Sequence, residues 1–217
     1  MKIESCTVCV GYSDILAVTL PLNLELLDRM IVVTSYDDEE TYDLCSKYDN
    51  VFCVRTDRFH DNAEFAKSRG LNQALRCVSK DCWVICLDAD ILLPLSIRDE
   101  IEDLDGVGRV CMHSCMRRFN VFKDSMDVSF ADGAECPGFF QVLHSSLLNK
   151  ELCQNLPEFS TDAAYDDLIF SRMIPGPIIM DINVCHLDEE RQNWSGRKTP
   201  KNTISIDMAE NLRSRLL

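Results

Sequence analysis

Two aspartates that follow an apolar run have the clearest chemical potential in this chain. Residues 83–87 (WVICL) have the uninterrupted apolar character of a buried strand, and Asp88 and Asp90 come directly after them. Side chains two residues apart at a strand end point the same way, and Mg²⁺ and Mn²⁺ prefer oxygen ligands such as carboxylates. The pattern therefore predicts one divalent-metal site shared by both acids. A pair of solvated loop acids, or a helix cap ahead of Ser96, is the alternative explanation.

A helix-like stretch ahead of that strand carries further candidates. Within residues 65–75 (FAKSRGLNQAL), Lys67 and Asn72 fall largely outside the apolar face. A glycine inside a helix costs about 1 kcal/mol relative to alanine, so Gly70 predicts that another group approaches the helix backbone closely. For Lys67 and Arg69 the alternative is a solvated helix face.

The elements that must position these residues alternate along the first half of the chain. Apolar runs and helix-like stretches follow one another, which predicts a parallel sheet with crossover helices. The predicted strands are residues 6–10, 30–34, 51–54 and 83–87, and the predicted helices are residues 14–27, 38–47 and 62–79. Pro21 is expected to end the first helix early or to kink it. An acidic cap at residues 61–64 is expected to start the third helix.

The second half of the sequence is less regular. Its predicted elements are a helix at 96–104, a strand at 109–113, an irregular stretch at 117–137, a strand at 138–143, a helix at 163–173, a strand at 178–184 and a polar tail. An irregular stretch of that length is commonly functional in a folded domain.

Size and composition predict one folded domain over residues 1–217. Hydrophobic residues make up 46% of the chain and charged residues 27%, as in ordinary globular proteins. No apolar run reaches the about 18 residues that span a membrane, and the first residues lack a signal-peptide pattern, so a cytoplasmic protein is expected. The net charge of -14 opposes nonspecific attraction to nucleic acid or anionic membranes. The 12 cysteines are scattered through apolar runs and are expected to be buried free thiols.

Several segments, taken in order, resemble the GT-A glycosyltransferases, especially their family 2-like group. Residues 87–90 (LDAD) are similar to the D-x-D segment of that family, and residues 65–75 are similar to the segment ahead of it. Residues 166–172 (DDLIFSR) resemble the family's E-D-x-x-L/F-x-x-R motif, with Asp166 where glutamate is more usual. The resemblance covers about residues 3–197. It implies a single α/β domain of the GT-A (Rossmann-like) type, with a mixed twisted sheet and helices on both faces.

The resemblance also implies roles for single residues. Asp167, the second acid of its motif, would be the general base, and Asp166 is the alternative acid. His186 would join Asp88 and Asp90 as a metal ligand, although a histidine after an apolar strand is also a common structural residue. The residues implied to contact the nucleotide sugar are Tyr12, Asp37, Lys67, Gly70, Asn72, Asp88 and Arg197, with Lys198 as the alternative to Arg197.

The implied activity is metal-dependent transfer of a sugar, with inversion, from a nucleotide-diphosphate donor to an acceptor hydroxyl. A UDP-sugar is the favoured donor, and Mn²⁺ or Mg²⁺ is the implied cofactor. About residues 3–105 would form the nucleotide-sugar-binding half, and about residues 106–200 the acceptor-side half. The acceptor is expected to be a carbohydrate or another hydroxyl compound. A hydroxylated pyrimidine in DNA, met by Arg117, Arg118 and Lys123, is disfavoured by the acidic net charge.

Two other classes of function stay open from the sequence. A nucleotidyltransferase acting on sugar phosphates also uses paired acids and Mg²⁺ on an α/β sheet. It is disfavoured because residues 11–14 (GYSD), after the first strand, contain no arginine or lysine for a phosphate loop. The other alternative is a noncatalytic binding protein of the same fold, against which the density of acids at the expected site argues.

Overall fold

The structure is a computed structural model that describes residues 1–60, 65–104, 111–120, 125–129, 140–148, 178–187 and 201–216 of the chain. The cap predicted at 61–64 and the helix predicted at 163–173 lie outside these residues. None of the helices within the described ranges is both long enough and apolar enough to cross a membrane.

Four parallel strands and the helices between them form the first half of the fold. The strands are β1 (Ile3–Val8), β2 (Arg29–Ser35), β3 (Val51–Thr56) and β4 (Trp83–Leu87), and the helices are α1 (Ser13–Leu24), α2 (Glu39–Cys45) and α3 (Lys67–Leu75). β1 lies between β2 and β4, with Cys6 opposite both Ile31 and Cys86, and β3 lies outside β2. All these pairs are parallel, so the predicted parallel sheet with crossover helices is confirmed.

The later strands continue the same sheet in mixed directions. They are β5 (Ile91–Leu92), β6 (Cys111–Asn120), β7 (Ser125–Ser129), β8 (Phe140–His144) and β9 (Ile178–His186), and the described helices are α4 (Ile97–Glu102) and α5 (Ile206–Arg213). The order across the sheet is β3-β2-β1-β4-β8-β6-β9-β5, with β7 paired to β6. β8 is antiparallel to β4 and β6, β9 is parallel to β6, and β5 is antiparallel to β9.

The strands divide their apolar side chains between two cores, one on each face of the sheet. On β4, Trp83, Ile85 and Leu87 enter the core that α1 and α4 cover, while Val84 and Cys86 enter the core that α3 covers. A strand covered on both faces reads as a continuous apolar run, which explains why the sequence located β4 to its end residues. Helices on both faces of a mixed sheet confirm the predicted α/β fold class.

Helix α1 is buried on two sides, a position that matters for the site. Leu16 and Leu20 pack in the sheet-side core, whereas Val18 and Leu22 pack in a smaller cluster with α5 and the end of β9. α5 is fixed to α1 by Arg213, whose guanidinium donates to the carbonyl oxygen of Leu22 at 2.7 Å. The helix therefore has little solvent-facing surface.

Pro21 lies inside helix α1, which continues past it to Leu24 and ends before the predicted residue 27. Three other element predictions were wrong. α3 begins at Lys67, after Ala66 at its N-cap, so the acidic cap predicted at residues 61–64 does not start it. Residues 117–120 and 125–129, predicted to be irregular, belong to the paired strands β6 and β7. The predicted polar tail contains α5, whose start is capped by the Ser205 hydroxyl.

Candidate functional site

The two aspartates of the LDAD segment lie on a tight turn at the carboxyl end of β4. The strand ends at Leu87, and the Ile91 N–H donates to the Asp88 carbonyl oxygen at 3.3 Å. β4 lies on one side of β1, and β2 and β3 lie on the other, so the ends of β1 and β4 border the point where the strand order reverses. Open α/β sheets bind ligands at such a point. The turn therefore places both acids at the expected ligand-binding edge.

Asp88 is paired with a lysine from the start of α3. The Lys67 Nζ lies 2.5 Å from Asp88 Oδ1, and the lysine side chain is only 12% exposed. Burial raises the pKa of Asp88 above its ordinary value and the nearby charge of Asp90 adds to the rise, while Lys67 opposes it. Asp88 keeps 32% of its side-chain exposure, so a ligand can reach it. Lys67 therefore does not lie on a solvated helix face, which was the alternative explanation from the sequence.

Asp90 is paired with His186, the last residue of β9. The His186 Nε2 lies 2.9 Å from Asp90 Oδ2, and the two side chains are 15% and 13% exposed. Burial alone would raise the pKa of Asp90, but the charge and hydrogen bond of His186 outweigh it and hold this pKa below its ordinary value. The backbone joins them as well, because Ile91 pairs with His186 across β5 and β9 and the Leu187 N–H donates to the Asp90 carbonyl oxygen at 2.9 Å.

These side chains have the chemistry of a divalent-cation site. Within the described ranges, no group of three or more acidic, histidine or cysteine side chains is placed to hold a metal ion. β4 ends at Leu87, so both acids lie on the turn after the strand, and their sharing of one metal ion stays a prediction. Asp90 still fits a metal: its buried Oδ1 has no hydrogen-bond partner among the described residues, and its other oxygen meets an imidazole.

Two polar residues of α1 hold the backbone around this turn, and neither was predicted from the sequence. The Thr19 Oγ1 donates to the Ala89 carbonyl oxygen at 2.6 Å. The Asn23 side chain donates to the Ile91 carbonyl oxygen at 2.8 Å and accepts from the Leu93 N–H at 3.0 Å. The sequence did contain a signal, since a threonine and an asparagine four residues apart interrupt an otherwise apolar helix and so share one face.

The loop between β1 and α1 and the end of β2 meet around Asp38, which was not predicted to be a site residue. Its Oδ2 accepts hydrogen bonds from the Gly11 N–H at 2.7 Å and from the hydroxyls of Thr34 at 3.0 Å and Thr41 at 2.7 Å. Asp38 therefore ties two site loops together and caps α2. Asp37, the predicted nucleobase contact, is exposed beside it.

The other predicted base contact, Tyr12, directly precedes α1. Its side chain is half-buried and packs against the sheet-side core. Tyr12 and Asp37 both lie at the carboxyl edge of the sheet, where the resemblance placed the nucleobase. Their contact with a base stays a prediction.

Gly70 does have the close neighbour that was expected, and this neighbour is the protein core. A Cβ atom at Gly70 would lie 2.5 Å from Phe59 Cε1 and 2.9 Å from Val8 Cγ2. The glycine thus lets α3 pack tightly on β1. Asn72, on the same helix, is buried, and Arg69 is buried with its guanidinium donating to the Arg58 carbonyl oxygen at 2.9 Å.

The remaining predicted site residues are distributed as follows. Asp166, Asp167 and Arg197, with the alternative Lys198, lie outside the described residues, as does Lys123, and their roles stay predictions. Arg117 and Arg118 lie on β6, where the register places Arg118 beside His186 of β9. Eight cysteines are free thiols, as expected, and six of these are buried, whereas Cys53 and Cys77 are only partly buried.

Comparison with known proteins identifies the fold and no closer relationship. The sequence matches no protein-family model, and no curated protein is significantly similar to it in sequence. Among solved structures, the inositol-1-phosphate CTP transferase from T. maritima has a TM-score of 0.55 and 10% identity, covering 98% of this chain and 95% of its own.

Two further solved structures illustrate the range of enzymes with this fold. The 4-diphosphocytidyl-2C-methyl-D-erythritol synthase from Anaerococcus prevotii has a TM-score of 0.52 and 14% identity, covering 96% of this chain and 93% of its own. The M. tuberculosis glucosyl-3-phosphoglycerate synthase has a TM-score of 0.53 and 16% identity, covering 88% and 73%. At such low identity these similarities show that the chain has the fold of nucleotidyl- and glycosyltransferases.

Proposed function

We propose that this protein is a divalent-metal-dependent glycosyltransferase that uses a nucleotide-diphosphate sugar, with a UDP-sugar as the first candidate. The observation that carries the proposal is the pair of side-chain contacts at the end of β4, Lys67 with Asp88 and His186 with Asp90. A metal–diphosphate unit needs carboxylates for the metal and a cation for the phosphates. Both kinds of group stand at the ligand-binding edge of this sheet.

Asp90 and His186 would hold the metal, with Asp88 as a further carboxylate within the same turn. The imidazole favours Mn²⁺ over Mg²⁺, because Mg²⁺ binds oxygen ligands almost exclusively. When bound, the metal supplies positive charge to the diphosphate as negative charge grows on the leaving group.

The chain's own side chains complete the proposed reaction. The bond from the acceptor oxygen to the anomeric carbon forms while the bond from that carbon to the diphosphate oxygen breaks, with inversion. Asp167, or Asp166 in its place, accepts the proton of the acceptor hydroxyl, which a fixed base accelerates by about 10²- to 10⁴-fold. Lys67 and Arg197 are proposed to donate hydrogen bonds to the departing diphosphate.

The nucleoside is proposed to lie over the ends of β1 and β2. Tyr12 and Asp37 would contact the base there, while Asn72 and the backbone near Gly70 would approach the nucleotide from α3. This arrangement leaves the diphosphate directed toward Lys67 at the end of β4, because that lysine is placed beside the turn after β4.

The loop after β1 favours glycosyl transfer over nucleotidyl transfer. A nucleotidyltransferase must bind a triphosphate, and basic loops with available backbone N–H groups commonly provide this. Here the loop has only residues 9–12 between β1 and α1 and contains no lysine or arginine. Its Cys9 N–H donates to the Val33 carbonyl oxygen and its Gly11 N–H to the Asp38 carboxylate. A carboxylate at this position repels a triphosphate.

A product assay on the purified protein tests the proposal. A panel of nucleotide sugars is first screened by thermal shift with Mn²⁺, since a ligand of the folded state raises the melting temperature. The donors that bind are then followed for release of nucleoside diphosphate, by hydrolysis or by transfer to saccharide acceptors. Asp90→Asn is expected to lower kcat/KM by about 10²-fold or more, because it removes a ligand of the metal and the partner of His186.

Asp43→Asn is the matched control, because it makes the same change at an exposed position of α2. Release of pyrophosphate from a nucleoside triphosphate and a sugar phosphate would establish a nucleotidyltransferase instead. A folded protein that binds no nucleotide sugar, with or without Mn²⁺, would be a noncatalytic protein of this fold. Full activity of Asp90→Asn would contradict the metal assignment.

The acceptor is proposed to be a carbohydrate hydroxyl. The net charge of -14 disfavours a polyanionic acceptor such as DNA with hydroxylated pyrimidines. A gel-shift assay with double-stranded DNA at low salt separates the two, because binding that requires phosphate contacts is strongest there. A stable complex with DNA under those conditions would return the arginines of β6 to consideration as an acceptor surface.

A further inference from the structure

The turn that carries Asp90 is held from both sides by hydrogen bonds to its backbone. On one side the Leu187 N–H, at the end of β9, donates to the carbonyl oxygen of Asp90 at 2.9 Å. On the other side Thr19 Oγ1 donates to the carbonyl oxygen of the preceding residue, Ala89, at 2.6 Å. The carboxylate that meets His186 is therefore fixed by its neighbours in the chain as well as by the histidine itself.

Asn23 extends this support along β5. Its amide nitrogen donates to the Ile91 carbonyl oxygen at 2.8 Å, and its amide oxygen accepts from the Leu93 N–H at 3.0 Å. One side chain thus satisfies backbone groups on both sides of Leu92. The asparagine is completely buried, so no water competes for these bonds.

Thr19 and Asn23 are polar side chains inside a buried helix, and their hydrogen bonds reach beyond that helix. α1 is packed by apolar side chains on two sides, and a buried polar group there costs free energy unless it is hydrogen-bonded. Both polar side chains lie on one face, four residues apart, and both donate hydrogen bonds to the segment that contains Asp90.

We infer that Thr19 and Asn23 are positioning residues that set the place of the Asp90 carboxylate relative to His186, and through it the affinity for a metal–nucleotide complex. The expected effect on metal affinity rests on the proposed function. The hydrogen bonds that position Asp90 are a property of the fold. Groups that orient metal ligands commonly change metal affinity or activity by about 10- to 100-fold when removed.

The test compares Thr19→Val, which keeps the shape and removes the hydroxyl, with Thr19→Ser, which keeps the hydroxyl. Asn23→Leu removes both hydrogen bonds of the asparagine and is the stronger variant. Thr7→Val is the matched control, because the Thr7 Oγ1 is also buried in the fold but has no hydrogen-bond partner within the described residues. Urea unfolding shows which variants are folded.

Two measurements are made on each folded variant. Mn²⁺ affinity in the presence of UDP is followed by the electron paramagnetic resonance signal of free Mn²⁺. Amide hydrogen exchange of Leu187 reports on the bond to Asp90, because that N–H touches none of the substituted side chains. We expect about 10- to 100-fold weaker Mn²⁺ binding and about tenfold faster Leu187 exchange in Thr19→Val, with both restored in Thr19→Ser.

The outcomes separate this inference from the proposed function. If Thr19→Val matches Thr7→Val in both Mn²⁺ affinity and Leu187 exchange, the positioning role is overturned, even where the wild type binds Mn²⁺ and UDP. If the wild type binds neither, the proposed function fails, and Leu187 exchange alone decides whether the two side chains hold the turn. If Asn23→Leu does not fold, the comparison of Thr19→Val with Thr19→Ser remains decisive.

Discussion

Gly70 offers a direct test of whether a glycine in α3 serves the core or a bound nucleotide. In Gly70→Ala the new methyl group would lie 2.5 Å from Phe59 Cε1 and 2.9 Å from Val8 Cγ2, distances that require the neighbours to move. Phe59 is not free to move, because it is buried and its ring stacks on Phe65 at a centroid distance of 5.4 Å. Overpacking of this kind costs about 1–3 kcal/mol.

The helix itself gains from the same substitution. Alanine is favoured over glycine inside a helix by about 1 kcal/mol. Because the added methyl group would lie closer than 3.0 Å to two neighbours, we expect a crowding cost in the upper part of that range, about 2–3 kcal/mol, which leaves Gly70→Ala less stable by about 1–2 kcal/mol. Phe59→Leu removes the ring atoms nearest to the added methyl group. In that background Gly70→Ala is expected to cost about 1 kcal/mol less, which is a measurable coupling between neighbouring residues.

The assay is urea unfolding of the wild type, the two single variants and the double variant, with UDP–Mn²⁺ affinity measured in parallel. Equal stability of Gly70→Ala and the wild type would refute the packing argument. An identical cost in both backgrounds would place the crowding somewhere other than Phe59. A loss of UDP affinity without a loss of stability would restore the interpretation of Gly70 as a nucleotide contact.

Two further predictions concern charged residues. Glu4 is buried, and its hydrogen bonds to Arg29, Ser79 and Lys2 outweigh the effect of burial and lower its pKa from 4.5 to about 2. Ionised Glu4 therefore stabilises the fold above pH 4.5, and this contribution is lost as the pH falls toward 2; with screening of the exposed Lys2, it amounts to about 2–3 kcal/mol. The difference in unfolding free energy between the wild type and Glu4→Gln should shrink from pH 6 to pH 2, and a constant difference would contradict the assignment. Lys67→Met should weaken UDP-sugar binding by about tenfold or more, because it removes a hydrogen-bond donor to the diphosphate. Lys80→Met is the control at an exposed position and should leave the affinity unchanged. Equal affinities of the two variants would show that Lys67 does not bind the phosphates.

The strand that the sequence predicted to its end residues, β4, is buried on both faces of the sheet. Strands such as β4 consist of consecutive apolar residues because two layers of helices cover them, and this pattern is local and readable. α5 was missed because its apolar residues are only partly regular and its partner, α1, is almost 200 residues earlier in the chain. Pairing of β6 with β7 was missed because it joins residues 117–120 to residues 125–129, and strand pairing is not shown by a local pattern.

In the site too, features set by neighbouring residues were predicted, and contacts between residues far apart in the chain were not. Asp88 and Asp90 were found because they follow a strand, but their orientation depends on where that strand ends and on what meets them. Lys67 was expected to be either solvated or nucleotide-bound, and only the packing of α3 on β1 places it beside Asp88. Thr19 and Asn23 were readable as polar interruptions of an apolar helix, although the sequence does not show which backbone they bind.

The side chains that meet the two aspartates come from different parts of the chain. Lys67 comes from α3, within the parallel half, whereas His186 comes from β9, in the mixed half of the sheet. The turn at residues 88–90 is therefore the place where both halves of the sheet contact the two acids. A metal–diphosphate complex bound there would contact both halves at once, so Asp90→Asn should weaken ligand binding and also reduce the stabilisation that ligand gives to the fold.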